Sequence, residues 1–254
     1  MILRRITEHV KAQNWFAVFL DFVIVVVGVF IGLQVSNWNG DRALRAEENL
    51  LLAQLRDEIV ANDTTLEYQS TYTEAVIASG IRALTFVEGE ASCSNHCTDL
   101  LIDFFHASQV WGNPYEFAKY RETERLGFPS NPATRAAVRT YYRFMSGWDQ
   151  VNLTPPAYRQ RVRGHFSPAA ATALWDRCHI STSQLEILSR DCADALDRVD
   201  ASGMLEAIRA DAEIANELRF WIGQNVFAQR SYADVRATTA AAILAIAKEL
   251  GDAP

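Results

Sequence analysis

The chain lacks every short motif that would announce a reaction. It has no G-x-S-x-G, no H-E-x-x-H, no phosphate-binding loop and no dinucleotide fingerprint. His106 and His165 are isolated. Glu122 and Glu124 stand two residues apart and so cannot share a helix face. Catalysis is therefore not expected, and neither is a cofactor. Low-complexity segments and internal repeats are also missing. Positive charge is in deficit: 24 Lys and Arg against 31 Asp and Glu leave a net charge of −7, which argues against a general nucleic-acid binder. Glycine is sparse, at 12 of 254 residues. Proline is absent before Pro114 and between Pro168 and Pro254. Few breakers and abundant alanine point to a mostly helical protein.

What is present begins with an apolar run. Phe16 to Val35 reads FAVFLDFVIVVVGVFIGLQV, with Asp21 and Gln34 its only strongly polar residues. At about 1.5 Å per residue, such a run spans the roughly 30 Å hydrocarbon core of a bilayer. A cleaved signal peptide would need small residues just beyond the run, but Gln34-Val35-Ser36-Asn37-Trp38-Asn39 follows it. Trp15 and Trp38 flank the segment as interfacial aromatics do. Phe22 to Val27 has no polar face, unlike a surface helix of a soluble protein. The expectation is a cytoplasmic tail over residues 1–14, a transmembrane anchor over 15–36, and an outer domain over 37–254. Ile2, Ile6 and Val10 could make the tail amphipathic, lying in the interface.

Flanking cations set the orientation. Arg4, Arg5 and Lys11 precede the run, while Arg42 and Arg45 follow it among acids. This bias places the N-terminus in the cytoplasm and the large domain outside, in the periplasm for a bacterium. All four cysteines, Cys93, Cys97, Cys178 and Cys192, then lie in an oxidising compartment. Four cysteines allow three pairings. The local one, Cys93 with Cys97 and Cys178 with Cys192, is favoured because each closes a short loop. His96 and His179 beside them raise a metal site as the alternative, but C-x3-C with a distant Cys-His pair matches zinc spacing poorly. No metal is expected.

The outer domain is expected to be all-α, with two long antiparallel helices. The first covers Asp41 to Val87, with Leu44, Leu51, Leu55, Ile59, Leu66, Val76, Ile77, Ile81 and Leu84 as its apolar positions and Gly80 as its weak point. The last covers Ser202 to Leu250 and stops at Gly251. Between them, helices are expected from Thr98 to Val110, from Asn113-Pro114 to Leu126, and from Asn131-Pro132 to Trp148. Three more open after Pro155-Pro156, at Ser167-Pro168 and at Ser181 or Ser183, the last carrying Cys192. The shorter helices would surround the far end of the long pair, and the C-terminus would finish near the bilayer.

Two features could serve recognition. Gly28 and Gly32 form G-x-x-x-G, and Asp21 falls on the same helical face. A membrane-buried carboxylate needs a partner, water or a proton. This face suits self-association or contact with another membrane protein, although an Asp21 near the interface could instead snorkel. Lys119 to Arg163 holds nine basic residues opposed by Glu122, Glu124 and Asp149. Within it Arg135, Arg139 and Arg143 form a ridge at i, i+4 and i+8, beside Tyr141 and Tyr142. The ridge suits carboxylate or phosphate binding. Alternatively it pairs with residues 41–90, which carry ten acids and four arginines.

The anchor also carries a resemblance. Leu20 to Asn39, with an acidic residue, an aliphatic run, a glycine and then Gly32-Leu33-Gln34-Val35-Ser36-Asn37-Trp38-Asn39, resembles an uncharacterised family of bacterial single-span membrane proteins. Glu is usual there where this chain has Asp21. Tyr115-Glu116-Phe117, Thr123, Gly127-Phe128 and the stretch Arg135 to Tyr142 are similar to a second region of such proteins. The resemblance implies a bacterial inner-membrane anchor and no particular reaction. The expected role is an interaction or accessory subunit, or a scaffold. The alternative is a periplasmic module that senses an anionic ligand and signals through a partner.

Overall fold

The computed structural model describes residues 15–89, 92–112, 115–152, 156–182 and 185–252, without the side chains of 15–18, 21, 95 and 147–152. The tail with Ile2, Ile6 and Val10, and the residues Asn113, Pro114, Pro155 and Ser183, lie outside this set. The protein is all-α. Helix α1 (Trp15–Glu88) is followed by α2 (Cys97–Ala107), α3 (Ala118–Leu126), α4 (Pro132–Asn152), α5 (Ala157–Gly164) and α6 (Pro168–Ala173). Two three-residue strands, β1 (His179–Ser181) and β2 (Glu186–Leu188), precede α7 (Ala201–Ala210) and α8 (Ala212–Leu250). The chain divides into two compact units, Met1–Leu50 and Leu51–Pro254.

In the first unit, the described part of the apolar run is helical and open to solvent, from Phe19 to Val35. Its most apolar window has a mean hydropathy of 1.7, and none of that window is buried. Among the described residues, α1 alone is long and apolar enough to cross a membrane. The Arg42 guanidinium sits 5.9 Å from the Trp38 ring centroid.

The second unit is built on two antiparallel helices. Buried positions along α1 alternate by three and four: Leu52, Leu55, Ile59, Asn62, Leu66, Gln69, Thr73, Val76, Gly80 and Ala83. That alternation keeps one seam facing a partner helix, as in a coiled coil. The partner is α8, which buries Ile214, Leu218, Asn225, Tyr232, Val235, Thr239, Ala242 and Ile246. Cross-links run in opposite order along the two helices. Arg56 meets Asp252, Thr73 meets Tyr232 at 2.9 Å, Glu74 meets Gln229 at 2.7 Å, and Glu88 meets Arg219 at 2.8 Å. The polar seam residues Asn62, Gln69 and Thr73 escaped an apolar-only reading of the sequence. Conversely Ile81 and Leu44, counted as apolar face, are exposed.

Gly80 does not break the helix. It is a point of close approach: a Cβ there would lie 2.8 Å from Ile222 Cγ1. Gly251, at φ +76°, ends α8 in the left-handed conformation, and the Asp252 N–H returns to the Ala247 carbonyl at 3.0 Å.

The shorter elements cover both halves of this pair rather than one end. Val138, Tyr141, Tyr142 and Met145 of α4 pack with Leu52 to Leu66 and with Val235 to Ile246. Around Ala83, Phe86, Ile214 and Leu218 gather Phe104 and Phe105 of α2, Val162 of α5 and Leu205 of α7. Tyr72, Val76 and Trp111 lie in a small third cluster.

Two expected helices are corrected. The segment after Ser181 is a hairpin, with Ile180 opposite Ile187, and Cys192 precedes a 3-10 turn (Ala193–Leu196). The expected last helix is two, because Asp211 leaves the helical backbone at ψ 103° and its side chain caps the Glu213 N–H at 3.1 Å. His165 at 3.1 Å and Arg161 at 3.7 Å hold the Asp211 carboxylate in that place.

Candidate functional site

Gly28 and Gly32 stand one turn apart on α1 with nothing within 4 Å of a Cβ built at either. Asp21 lies in the same helix; its side chain is outside the described set. The four cysteines form Cys93–Cys97 and Cys178–Cys192 disulfides, with Cα atoms 4.9 and 5.4 Å apart. No group of three or more His, Cys, Asp or Glu able to hold a metal ion occurs among the described residues.

The arginine ridge on α4 is largely engaged. Arg135 donates to the Pro129 and Gly127 carbonyls, each at 2.7 Å. Arg139 grips Glu124 with two nitrogens, at 3.0 and 2.9 Å. That carboxylate raises the Arg139 pKa above its ordinary value. Arg143 is exposed. Among the described residues, the partners of this ridge thus come from α3 and the α3–α4 loop, not from the acidic stretch 41–90.

That acidic stretch does other work. The Glu58 carboxylate, nearly buried in the seam region of α1, accepts the Lys119 and Tyr120 N–H groups at 2.7 and 3.2 Å. These are orphan donors of the first turn of α3, whose N-cap Phe117 offers no side chain. A remote carboxylate therefore caps α3 and meets its positive dipole end. Asn62 holds the preceding backbone by donating to the Glu116 carbonyl and accepting its N–H, both at 2.8 Å. Asp103 is a second buried carboxylate. Arg82 forks onto it at 2.9 and 2.8 Å, and Arg190 also reaches it.

A further group of charges lies on α5 and the hairpin. Arg159 and Arg163 sit one turn apart on α5, both partly buried. Arg163 donates to Ser108 Oγ at 2.9 Å and lies 4.8 Å from the Trp175 ring centroid and 5.4 Å from that of Phe105. Burial, helped by the neighbouring Arg159 charge, lowers the Arg163 pKa to about 10. Burial also lowers Arg159, against the opposing pull of Tyr72 and Glu186. Glu186 of β2 is nearly buried, 3.7 Å from His179 Nε2. A Cβ on Gly112 would come within 2.7 Å of Glu186 Oε1, so this carboxylate packs where a larger residue would intrude.

Beside these charges stands a set of unused donors. Tyr72 and Trp111 meet edge to face at 5.3 Å. Trp111 Nε1 and Gln109 Nε2 are buried and have no hydrogen-bond partner among the described residues. Burial pushes the Tyr72 phenol well above its ordinary pKa, and Glu186, acting on the hydroxyl both as a charge and as an acceptor, pushes it further. A groove of about 170 Å³ opens along Tyr68, Thr71, Tyr72 and Ala75 on one side and Leu185 to Leu188 on the other. The sequence count of basic residues included Arg159 and Arg163, but nothing local distinguished them from the α4 ridge. Arg163 is enclosed by Ser108, Phe105 and Trp175, which come from other segments of the chain.

No protein-family model, curated protein or solved structure matches this chain.

Proposed function

We propose that the chain is a single-span protein of a bacterial inner membrane, with its N-terminus in the cytoplasm and its helical domain in the periplasm. In this reading it acts as an interaction or accessory subunit, or a scaffold, and performs no catalysis. The observation that carries the proposal is the open apolar helix of the first unit: of its described side chains from Phe19 to Val35 none is buried, Val23 alone being partly covered, and nothing lies within 4 Å of a Cβ built on Gly28 or Gly32. Such a surface in water would be an aggregation liability, whereas in lipid it is matched. Gly28 and Gly32 then offer a contact face for a second copy or for another spanning helix. The two disulfides suit an oxidising compartment. The resemblance of the anchor to bacterial single-span proteins points the same way.

The test is purification of tagged protein from its native membrane in gentle detergent, with mass determination and identification of co-eluting chains. A stoichiometric partner, or a dimer, that is lost in a Gly28→Leu/Gly32→Leu variant supports the subunit reading. A lone monomer unchanged by that variant overturns it.

A second reading, a sensor of an anionic ligand working through a partner, is favoured by the half-buried Arg159 and Arg163.

A further inference from the structure

We propose that the face shared by Arg159, Arg163, Glu186, Tyr72 and Trp111 is a binding site for a small organic carboxylate. The inference concerns the second unit alone and holds whether or not the first unit crosses a membrane.

Charge is the first argument. Two guanidiniums lie one turn apart, and the acid near them is Glu186, 3.7 Å from His179. Arg163 spends its Nε on Ser108 and has aromatic rings against its faces. The Arg159 guanidinium makes no hydrogen bond or ion pair among the described residues, although Glu186 and Tyr72 act on it electrostatically. One cation is thus in excess, and a single carboxylate would balance it. Guanidinium matches carboxylate with two parallel hydrogen bonds.

An unused donor is the second argument. A buried donor without a partner costs free energy, so native proteins rarely leave one. Here Trp111 leaves its indole N–H so at 6% exposure, edge to face with Tyr72, whose hydroxyl is beside the Glu186 carboxylate. The indole N–H donates, as do both arginines. A site made of donors calls for an acceptor, and a carboxylate is acceptor-only when ionised.

The walls give the third. The adjoining groove of about 170 Å³ is lined by rings and aliphatic side chains, including Tyr68, Tyr72, Ile187 and Leu188. It has room for an organic tail, which an inorganic oxyanion would leave empty. Binding pockets commonly combine such apolar walls with a few convergent polar groups.

The experiment uses the full chain in mild detergent at pH 7.5, with disulfides intact. Sodium benzoate is the probe, and sodium phosphate and sodium chloride at equal ionic strength are the controls. Thermal unfolding and tryptophan fluorescence are read together. Benzoate at about 10 mM is expected to raise the midpoint by roughly 2–5 °C beyond chloride, with phosphate no better than chloride. Arg159→Gln should abolish that shift while leaving the midpoint without benzoate unchanged or higher, since it removes one of two crowded like charges. Tyr72→Phe should keep the fold and weaken benzoate binding about 5–10-fold. The proposal is overturned by no benzoate shift in the parent chain, by a shift that survives Arg159→Gln, or by a phosphate shift as large as benzoate's. A clear fall in midpoint for Arg159→Gln without benzoate would also sink it, because Arg159 would then be a structural counter-ion of Glu186.

Discussion

Glu58 and Tyr142 meet at 2.6 Å, where the phenol of α4 donates to the carboxylate of α1 that also caps α3. One side chain thus ties three helices. Burial, reinforced by Glu58, drives the Tyr142 pKa far upward, so the hydroxyl remains a donor at any ordinary pH. Glu58→Ala strands a buried hydroxyl and two first-turn N–H groups. It is expected to cost about 2–4 kcal/mol in urea unfolding. Tyr142→Phe removes one bond and should cost about 1 kcal/mol. If the two costs prove equal, the capping role of Glu58 is wrong.

Gly80 sets the spacing of the long helices. An Ala there must displace Ile222, whose Cγ1 lies 2.8 Å from the added Cβ, and should destabilise by about 1–3 kcal/mol. In an Ile222→Ala background the clash is gone. Gly80→Ala should then stabilise by up to about 1 kcal/mol through helix propensity. The difference between the two backgrounds is a coupling energy, and a value near zero would deny the contact.

How far the chain could be read follows from how local each cause is. The first long helix was legible because apolar residues such as Leu51, Leu55, Ile59 and Leu66 recur by fours and sevens in a stretch without proline. Gly251 as the stop of α8 was legible because a left-handed cap is a one-residue matter. The seam positions Asn62, Gln69 and Thr73 were not, since their burial depends on partners such as Glu116 and Tyr232 far along the chain. The same holds for α3, whose N-terminal cap comes from Glu58. The helix break at Asp211 could have been suspected from an Asp ahead of Glu213, but its ion partners His165 and Arg161 lie on another segment. The hairpin was missed because Ser181 resembles a helix start. Its strands are three residues each, too short for alternation to show. Arg159 and Arg163 were legible as charge and illegible as a site.

The disulfides should differ in worth. Cys178–Cys192 spans 14 residues and closes the hairpin, with both sulfur residues buried. In the chain-entropy account, a loop of this size contributes about 3 kcal/mol. Cys178→Ala/Cys192→Ala should cost about that much in urea unfolding. Cys93–Cys97 spans only 4 residues, and its removal should cost about 1 kcal/mol less. The opposite ranking would show that the hairpin contributes little to the second unit.

His106 should impose a pH dependence on the second unit. It is 1% exposed, and its Nε2 lies 3.0 Å from the Cys178 carbonyl oxygen, so the neutral ring carries its proton on Nε2. Burial lowers its pKa from 6.5 to about 4; the carbonyl and Asp103 oppose this, while Arg190 and His179 add to it. The unfolded chain therefore binds a proton that the folded one refuses between those two values. Stability from this group is complete above pH 6.5 and falls as pH drops towards about 4, with no further loss below. A difference of this size corresponds to about 3 kcal/mol. Asp211, held below the ordinary carboxylate range by its His165 bond, loses its contribution only below pH 3.8, outside the window. Urea unfolding at pH 7.5, 5.5 and 4.5 should show the decline in the parent chain. His106→Gln should be less stable at pH 7.5 and flatter across the window. An unchanged slope in that variant would assign the acid sensitivity elsewhere and remove His106 from the account.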